Sequence, residues 1–511
     1  MDQVSRRPRW TPRCKWARPR CVRPIRVFRK PSAPKPEVYC SLTQGARPVL
    51  KKQVKTSDAG SSTIAPTYGC RSFCEPIPRY EIPESPMDPR TVKQLVQDEL
   101  NLDGNPALNL ASFVTTWMDP EANELMAMCV NKNFIDQDEY PQTQKIHERV
   151  VSMLAHLLNA PEQGRAVGTV TIGSSEAIML GLLAHKRSWQ HRRKAAGKPA
   201  DRPNIIYGLD VHSCWEKFAN YFEVEARTIE LGPGKYVIGP DDVAPLVDEN
   251  TIAVGAVVGT TYTGQMDDVA GIDALLQKLN AERGLSIPMH VDGASGGFVM
   301  PFVHPDEAWD FRLPTVRSIN VSNHKYGLVY PGLGSLIFRD ASDVPEDLVY
   351  KINYLGGEME NYSLNFSRGS ALVMGQYYNF LRFGREGYRQ VLSNCVETAQ
   401  QLARTITDSG KFEVIGDSPM LPVIALRLLD DSRYTVFHIS EAIRAKGWIV
   451  PAYTLPPKAD GTAVLRIVVK ENFSRDMAEL FAADLQNVMQ KLDASPPSHA
   501  TDHGKEGHGI C

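Results

Sequence analysis

Apolar residues recur along the chain with two different spacings. In the segment 143–160 four of them share one helical face, which predicts an amphipathic helix; they are Ile146, Val150, Leu154 and Leu157. The segment 175–197 predicts a second helix. Short apolar runs rich in β-branched residues predict strands at 204–209, 251–259, 288–293, 318–322 and 334–338. Because apolar strands alternate with helices, we predict an α/β fold whose mostly parallel sheet is covered on both faces.

The pattern changes near residue 395, which predicts a smaller second domain. A helix, strands near 412–416, 422–428 and 463–470, and a final helix at 474–492 indicate an α+β unit. The predicted organisation has five parts: a basic extension (1–60), an N-terminal segment (61–108), a large domain (109–394), a small C-terminal domain (395–492) and a flexible tail (493–511).

Charge is distributed unevenly along the chain. Residues 1–55 contain sixteen Lys or Arg against Asp2 and Glu37, a net charge of +14. The whole chain carries −2, so the remainder carries −16 and would repel nucleic acid. The basic extension is either an Arg-rich presequence for a plastid or mitochondrion, or a disordered tail that binds anions and could attract nucleic acid. Without a presequence we expect a cytoplasmic protein. Because the body of the chain is acidic, we expect no nucleic-acid partner. No apolar run approaches the roughly 18 residues that span a membrane, so we expect no membrane partner either.

Polar residues follow several predicted strands, at the edge where open parallel sheets bind ligands. Gly173, Ser174 and Ser175 begin a helix whose N–H groups, dipole and hydroxyls favour an anion, although Ser-Ser-Glu is also typical of an ordinary helix start. Asp292 ends a buried strand before the small residues 293–297, which leave room for a flat ring. The alternative for Asp292 is a simple Asx turn.

Two further strand ends carry His212 and Thr261, and another carries His324 and Lys325. Each of these alone is more typical of a structural residue. Together, an anion cradle, an imidazole, a carboxylate and an amine match the needs of pyridoxal phosphate, whose aldehyde forms a Schiff base with lysine. The order of these groups along the chain is that of the aspartate-aminotransferase type (type I) of fold.

The motifs around these residues resemble a known family. VDGASGGF followed by His324-Lys325, and HSCWEK around His212, resemble the pyridoxal-phosphate-dependent group II decarboxylases. Longer motifs within about 75–490 are similar to the glutamate decarboxylases of plants and bacteria; among them are LDGNPALNLASFVTTWMDPE, NKNFIDQDEYPQT, INYLGGEMENYSLNFSRGS and GWIVPAYTLP. The plant and bacterial enzymes often have glutamine at the position of His212, whereas histidine is commoner in the wider group.

The resemblance implies roles for residues that bind the cofactor. Lys325 would form the Schiff base, Asp292 would keep the ring nitrogen protonated, and His212 would stack on the ring opposite Ala294. Five residues would hold the phosphate: Ser174, Ser175, Thr261, Ser322 and His324. A second subunit would supply Ser367, so we expect a homodimer or a hexamer in which segment 61–108 packs on the partner.

The resemblance also implies a substrate site and a reaction. Arg466 would bind the α-carboxylate of L-glutamate, and four groups would receive the distal carboxylate: Ser112, the backbone of Phe113, Asn133 and Asp136. Contact between two carboxylates favours a proton on one, hence activity at mildly acidic pH. Tyr354 and Leu355 would form a loop that closes over the site. The products would be 4-aminobutanoate (GABA) and carbon dioxide.

Other functions remain open from the sequence. The substrate could be aspartate or cysteine sulfinate, or the protein could be a pyridoxal-phosphate lyase, a transaminase or a cofactor-free regulatory protein. The nine cysteines lack a C-x-x-C pair, so we expect no metal site. Residues 491–511 lack a basic amphipathic helix, so we expect no calmodulin-binding segment. The three histidines of this tail could form a pH-dependent cover, or the tail could simply be disordered.

Overall fold

The computed structural model describes residues 79–161, 166–353, 359–416 and 419–495. The predictions for the basic extension, for the loop residues Tyr354 and Leu355 and for the tail beyond residue 495 therefore lie outside the described residues. Segment 61–108 is described only from residue 79 onward.

The main sheet has seven strands in the order β1-β7-β6-β5-β4-β2-β3. Their bounds are β1 Val167–Thr171, β2 Asn204–Gly208, β3 Glu225–Ile229, β4 Thr251–Val257, β5 Met289–Gly293, β6 Val316–Val321 and β7 Gly334–Phe338. β7 runs antiparallel to both of its neighbours, and the other pairs are parallel. The prediction of a mostly parallel sheet in an α/β fold is confirmed.

Helices precede and follow the strands of this sheet. Within the described residues they are α1 Pro89–Leu100, α2 Pro120–Ala127, α3 Pro141–Leu157, α4 Gly173–Ala195, α5 Cys214–Tyr221, α6 Pro240–Val243, α7 Val269–Arg283, α8 Gly296–Val303, α9 Ala371–Thr407, α10 Val436–Arg444 and α11 Arg475–Ala494. Short 3₁₀ helices lie at Pro106–Leu108, Ala244–Leu246, Ala341–Asp343 and Glu346–Leu348. The two helices predicted from apolar periodicity correspond to α3 and α4, each displaced by two or three residues.

A second sheet is antiparallel, with the order β10-β11-β13-β12. Its strands are β10 Phe412–Val414, β11 Val423–Leu428, β12 Ala452–Thr454 and β13 Ala463–Val468. Alternate residues of β11 and β13, such as Ile424 and Ile467, are fully buried in a core shared with Phe481 of α11. A hairpin of β8 Tyr350–Ile352 and β9 Met359–Asn361 stands apart from both sheets.

Helix α9 begins well before residue 395 and continues to Thr407. Gly384 interrupts it with a φ of +56°, a conformation that glycine adopts at little cost. The predicted limit between the large and small domains, at 394 and 395, therefore lies inside a helix, and the predicted domain limits stay predictions.

No helix among the residues that the structure describes is both long and apolar enough to cross a membrane.

Candidate active site

The carboxyl ends of the parallel strands border one cavity of about 230 Å³. The structure brings nine of the predicted residues to this cavity: Ser174, Ser175, His212, Thr261, Asp292, Ala294, Ser322, His324 and Lys325. They follow β2, β4, β5 and β6 or begin α4, because parallel strands place their carboxyl ends at the same edge.

Lys325 is a half-buried side chain in the wall of the cavity. Its Nζ donates a hydrogen bond to Ser295 Oγ at 3.0 Å and lies 4.7 Å from the centre of the Phe113 ring. Burial lowers the pKa of the Lys325 amine to about 8, an effect that the Asp292 carboxylate opposes and the Arg466 guanidinium reinforces. A lowered pKa increases the fraction of neutral amine, which is the form that attacks an aldehyde.

Asp292, the penultimate residue of β5, is a buried carboxylate with three N–H donors. Its Oδ1 accepts from the backbone of Ala294 at 3.0 Å and from Asn320 Nδ2 at 2.8 Å. Its Oδ2 accepts from Trp215 Nε1 at 3.1 Å. These bonds compensate the carboxylate for its lost hydration, so Asp292 can present a negative charge to the cavity.

His212 borders the same cavity beside the start of α5. Its Nδ1 accepts the backbone N–H of Cys214 at 3.3 Å. Burial lowers the pKa of His212, although the nearby Asp292 carboxylate opposes the shift. A neutral imidazole is a flat face suited to stacking on an aromatic ring.

The start of α4 forms a cradle of small and hydroxyl groups. Ser174 Oγ lies 2.7 Å from Ser322 Oγ, and Gly173 has a φ of +73°. A Cβ atom at Gly173 would lie 3.1 Å from His324 Cε1, so glycine permits this close approach. Burial, helped by the Lys325 charge, lowers the pKa of His324 to about 4.

The cradle is not an ordinary helix cap, the alternative that the sequence left open. The residue before α4 is Ile172, which has no capping side chain, and its N–H donates to Glu176 Oε2 at 2.6 Å. The hydroxyls of Ser174 and Ser175 thus remain at the cavity beside the N-terminal N–H groups of the helix. The cavity therefore has hydroxyls and a helix N-terminus on one side, and a carboxylate and an amine elsewhere on its wall. Pyridoxal phosphate requires these groups for its phosphate, its ring nitrogen and its aldehyde.

Arg466 lies next to the cavity rather than in its wall. Its Cζ lies 4.8 Å from the centre of the Phe113 ring, the ring that Lys325 also contacts. Nη1 donates to the carbonyl of Thr261 at 2.7 Å and Nη2 to that of Ala111 at 2.6 Å, while Nε has no partner among the described residues. The neighbouring Ser112 Oγ accepts the N–H of Val114 at 3.3 Å.

Three predicted residues form a separate cluster that does not border this chain's cavity. Asn133 Nδ2 lies 3.1 Å from Asp136 Oδ1 and 3.5 Å from Ser367 Oγ. The other amide atom, Asn133 Oδ1, accepts the backbone N–H of Arg368 at 3.2 Å. The structure therefore groups Asn133, Asp136 and Ser367 with one another, but not with Lys325.

Several residues of the site were not predicted from the sequence. Ser295 lies in the motif VDGASGGF and Trp215 in HSCWEK, so the sequence indicated their neighbourhood. It did not indicate their hydrogen-bond partners, Lys325 and Asp292. Asn320 lies inside a predicted strand, where only its apolar neighbours were informative. Cys214 also borders the cavity and lies in the HSCWEK motif, whereas no pattern distinguished Asp210, which borders the cavity too.

Asp210 gives a testable effect of pH on stability. Burial, together with the charge of Asp292, raises the pKa of Asp210 to about 7. Between about pH 4 and pH 7 the folded chain then holds a proton that the unfolded chain releases, so stability falls as the pH rises. We expect Asp210→Asn to raise the Tm relative to the parent protein more at about pH 7.5 than at about pH 4.5. A difference in Tm that is the same at both pH values, or one matched by the exposed control Asp241→Asn, would contradict this.

Comparisons with known proteins agree with the geometry. The model of the pyridoxal-dependent decarboxylase conserved domain matches residues 78–429. The chain is 51% identical to a glutamate decarboxylase of Solanum lycopersicum over 84% of this chain and 86% of that one. It is 46% identical to a glutamate decarboxylase of Aliivibrio fischeri over 85% and 94%. A solved glutamate decarboxylase from Lactobacillus brevis superposes with a TM-score of 0.82 at 42% identity, covering 86% of this chain and all of that one. The chain therefore belongs to the pyridoxal-dependent decarboxylase family.

Proposed function

We propose that this protein decarboxylates L-glutamate to 4-aminobutanoate and consumes one proton in each turnover. One observation carries the proposal: a half-buried amine, a buried carboxylate and a hydroxyl cradle meet at one cavity, with Arg466 beside it. The similarity to plant and bacterial proteins named glutamate decarboxylase supports the choice of substrate.

The residues of the chain divide the chemistry among them. Bound pyridoxal phosphate supplies the electron sink for the carbon–carbon bond that breaks. Lys325 Nζ would hold the cofactor through its aldehyde carbon, and the lowered pKa of this amine keeps it reactive near neutral pH. Asp292, held by its three donors, favours a proton on the ring nitrogen. The positive charge of Arg466 attracts the α-carboxylate, and the ring of Phe113 excludes water beside the amine.

The substrate choice can be tested directly with the loaded enzyme. We expect release of carbon dioxide and 4-aminobutanoate from L-glutamate, with much lower kcat/KM for aspartate and cysteine sulfinate. Faster release from either of those acids would assign a different substrate. Amino-group transfer without carbon dioxide would indicate a transaminase, and the absence of visible cofactor absorbance would indicate a protein without this cofactor.

The active form is proposed to be a homodimer or a hexamer in which each cavity is completed by a partner subunit. The cluster of Asn133, Asp136 and Ser367 does not border the cavity of its own chain. This supports a role for the cluster in binding substrate at the cavity of a partner subunit. Helix α1 also exposes apolar residues at intervals of four, namely Val92, Val96 and Leu100.

We expect Asp136→Ala to raise the KM for glutamate by about 10- to 100-fold, the loss expected when a hydrogen bond to a charged group is removed. The visible spectrum of the bound cofactor should change little, because the proposed partner of Asp136 is the distal carboxylate of the substrate and not the cofactor. The exposed neighbour Asp138, changed to alanine, is the matched control. A similar disturbance of KM and of the cofactor spectrum would contradict a role in binding the distal carboxylate.

The same variant tests whether sites are shared between subunits. In a mixed dimer of Asp136→Ala and Lys325→Ala chains, one cavity would combine the intact Lys325 of one chain with the intact Asp136 of the other. Random pairing of equal amounts, assayed at glutamate well below the parental KM, would then restore about a quarter of the parental activity, since half of the dimers are mixed and each has one complete site. No recovery in mixed dimers, verified to have formed, would contradict a shared site.

A further inference from the structure

A chain of buried polar side chains leads from Asp292 into the interior of the sheet. Asp292 Oδ1 accepts from Asn320 Nδ2 at 2.8 Å, and Asn320 Oδ1 lies 2.9 Å from His290 Nε2. His290 Nδ1 lies 2.6 Å from Ser318 Oγ, which in turn lies 2.7 Å from His185 Nε2. All five side chains are buried, and the inner three are completely inaccessible to solvent.

The register of two neighbouring strands places these polar side chains in one row. In the parallel pair β5 and β6, His290 lies opposite Ser318 and Asp292 lies opposite Asn320. Residues two apart in a strand share a face, so these four side chains form one polar ladder. Helix α4 covers the ladder with His185 and makes room for it at Gly181, where a Cβ atom would lie only 2.9 Å from His290 Cε1.

The hydrogen bonds in this row of side chains have one consistent donor-to-acceptor direction. A carboxylate can only accept, so the amide nitrogen of Asn320 donates to Asp292 and its oxygen faces His290. His290 must therefore donate through Nε2–H. Burial lowers the pKa of His290 to about 4, against the opposing charge of Asp292, so its Nδ1 is free to accept from the Ser318 hydroxyl. Ser318 Oγ then accepts from His185, and each hydrogen points toward Asp292.

We propose that His290 is a positioning residue for the reaction, which acts on Asp292 through the amide of Asn320. This inference rests on the proposed function. By fixing the orientation of Asn320, His290 keeps a donor on Oδ1 of Asp292, where the backbone of Ala294 also donates. Without His290, the amide is free to turn its oxygen toward the carboxylate. Asp292 would then lose one hydrogen-bond donor and face an oxygen instead, so it would support a proton on the ring nitrogen less well.

The direct test is the protonation of the ring nitrogen in loaded enzyme without substrate. Cofactor labelled with ¹⁵N in the ring should show the chemical shift of a protonated nitrogen in the parent protein. In His290→Phe, which preserves a flat ring but not the donor, we expect a shift toward the unprotonated value. We also expect kcat to fall about 10- to 100-fold, the range for groups that orient a functional ligand, with a smaller change in KM.

Two variants separate positioning from general stability. His290→Gln offers an N–H in place of Nε2 and should return the ¹⁵N shift and kcat most of the way to the parental values. His191→Gln changes an exposed histidine on α4, the helix that carries His185, and should alter neither. If His290→Phe does not fold, Ser318→Ala removes the hydroxyl that fixes the His290 tautomer, and it should move the ¹⁵N shift in the same direction.

An unchanged ¹⁵N shift in His290→Phe, or in Ser318→Ala where the first variant does not fold, would overturn the proposal. Equal losses in His290→Gln and His290→Phe would do the same. Because the shift is measured without substrate, this outcome is separate from failure of the proposed function, which would appear as no release of carbon dioxide from glutamate by the parent enzyme.

Discussion

Lys325→Ala should abolish the release of carbon dioxide from glutamate, with a fall in kcat on the order of 10⁴-fold or more, as for other groups that form covalent intermediates. The amine lies at the cavity with its Nζ on Ser295, and alanine leaves no nucleophile at that point. Cofactor should still bind through the cradle at the start of α4, but dialysis should remove it more readily. Activity and retained cofactor, measured on the same preparation, check both expectations.

The matched control for this variant is Lys278→Ala. Lys278 lies exposed on α7, away from the cavity, and its amine should be dispensable. Substantial turnover by Lys325→Ala, with the control also active, would show that a different amine performs the covalent step.

Asp292→Asn should keep the cofactor but lower kcat by about 10²- to 10³-fold, the cost of removing one preorganised electrostatic contact. A neutral amide no longer favours a proton on the ring nitrogen. It also places an N–H among three donors that all point at this side chain, so at least one hydrogen bond to Ala294, Asn320 or Trp215 is weakened.

A second consequence follows from the charge of Asp292. The carboxylate raises the pKa of Lys325 against the effect of burial, so the amide variant should lower that pKa further. In cofactor-free protein, the rate of labelling of Lys325 by an amine reagent should therefore reach its plateau at lower pH in Asp292→Asn. An unchanged kcat and an unchanged labelling profile would place Asp292 outside the chemistry.

The fold was largely predictable because its signals are local. Continuous apolar runs such as 251–259 correspond to fully buried strands, and the periodicity of 143–160 corresponds to α3. The antiparallel direction of β7 was not predictable, since Gly334–Phe338 is as apolar as the strands of the sheet that pair in parallel. Strand direction depends on the length and path of connections rather than on side-chain pattern.

The candidate site was predictable in part, for a related reason. Residues at strand ends could be grouped because an open parallel sheet gathers such ends at one edge. The hydrogen-bond partners of those residues could not be predicted, because only the tertiary fold brings Lys325 to Ser295 and Asp292 to Trp215. The cluster around Asn133 is a third case, since its proposed place at a cavity would require a second chain.

The most direct measurement of the central claim is to locate the lysine that carries the cofactor. Loaded enzyme is treated with borohydride, which reduces the carbon–nitrogen bond between lysine and cofactor, and then digested for peptide mapping. We predict a single phosphopyridoxyl group per chain, on the peptide that contains Lys325. A label on another lysine, such as the buried Lys470, or no label in a preparation that decarboxylates glutamate, would contradict the assignment of Lys325.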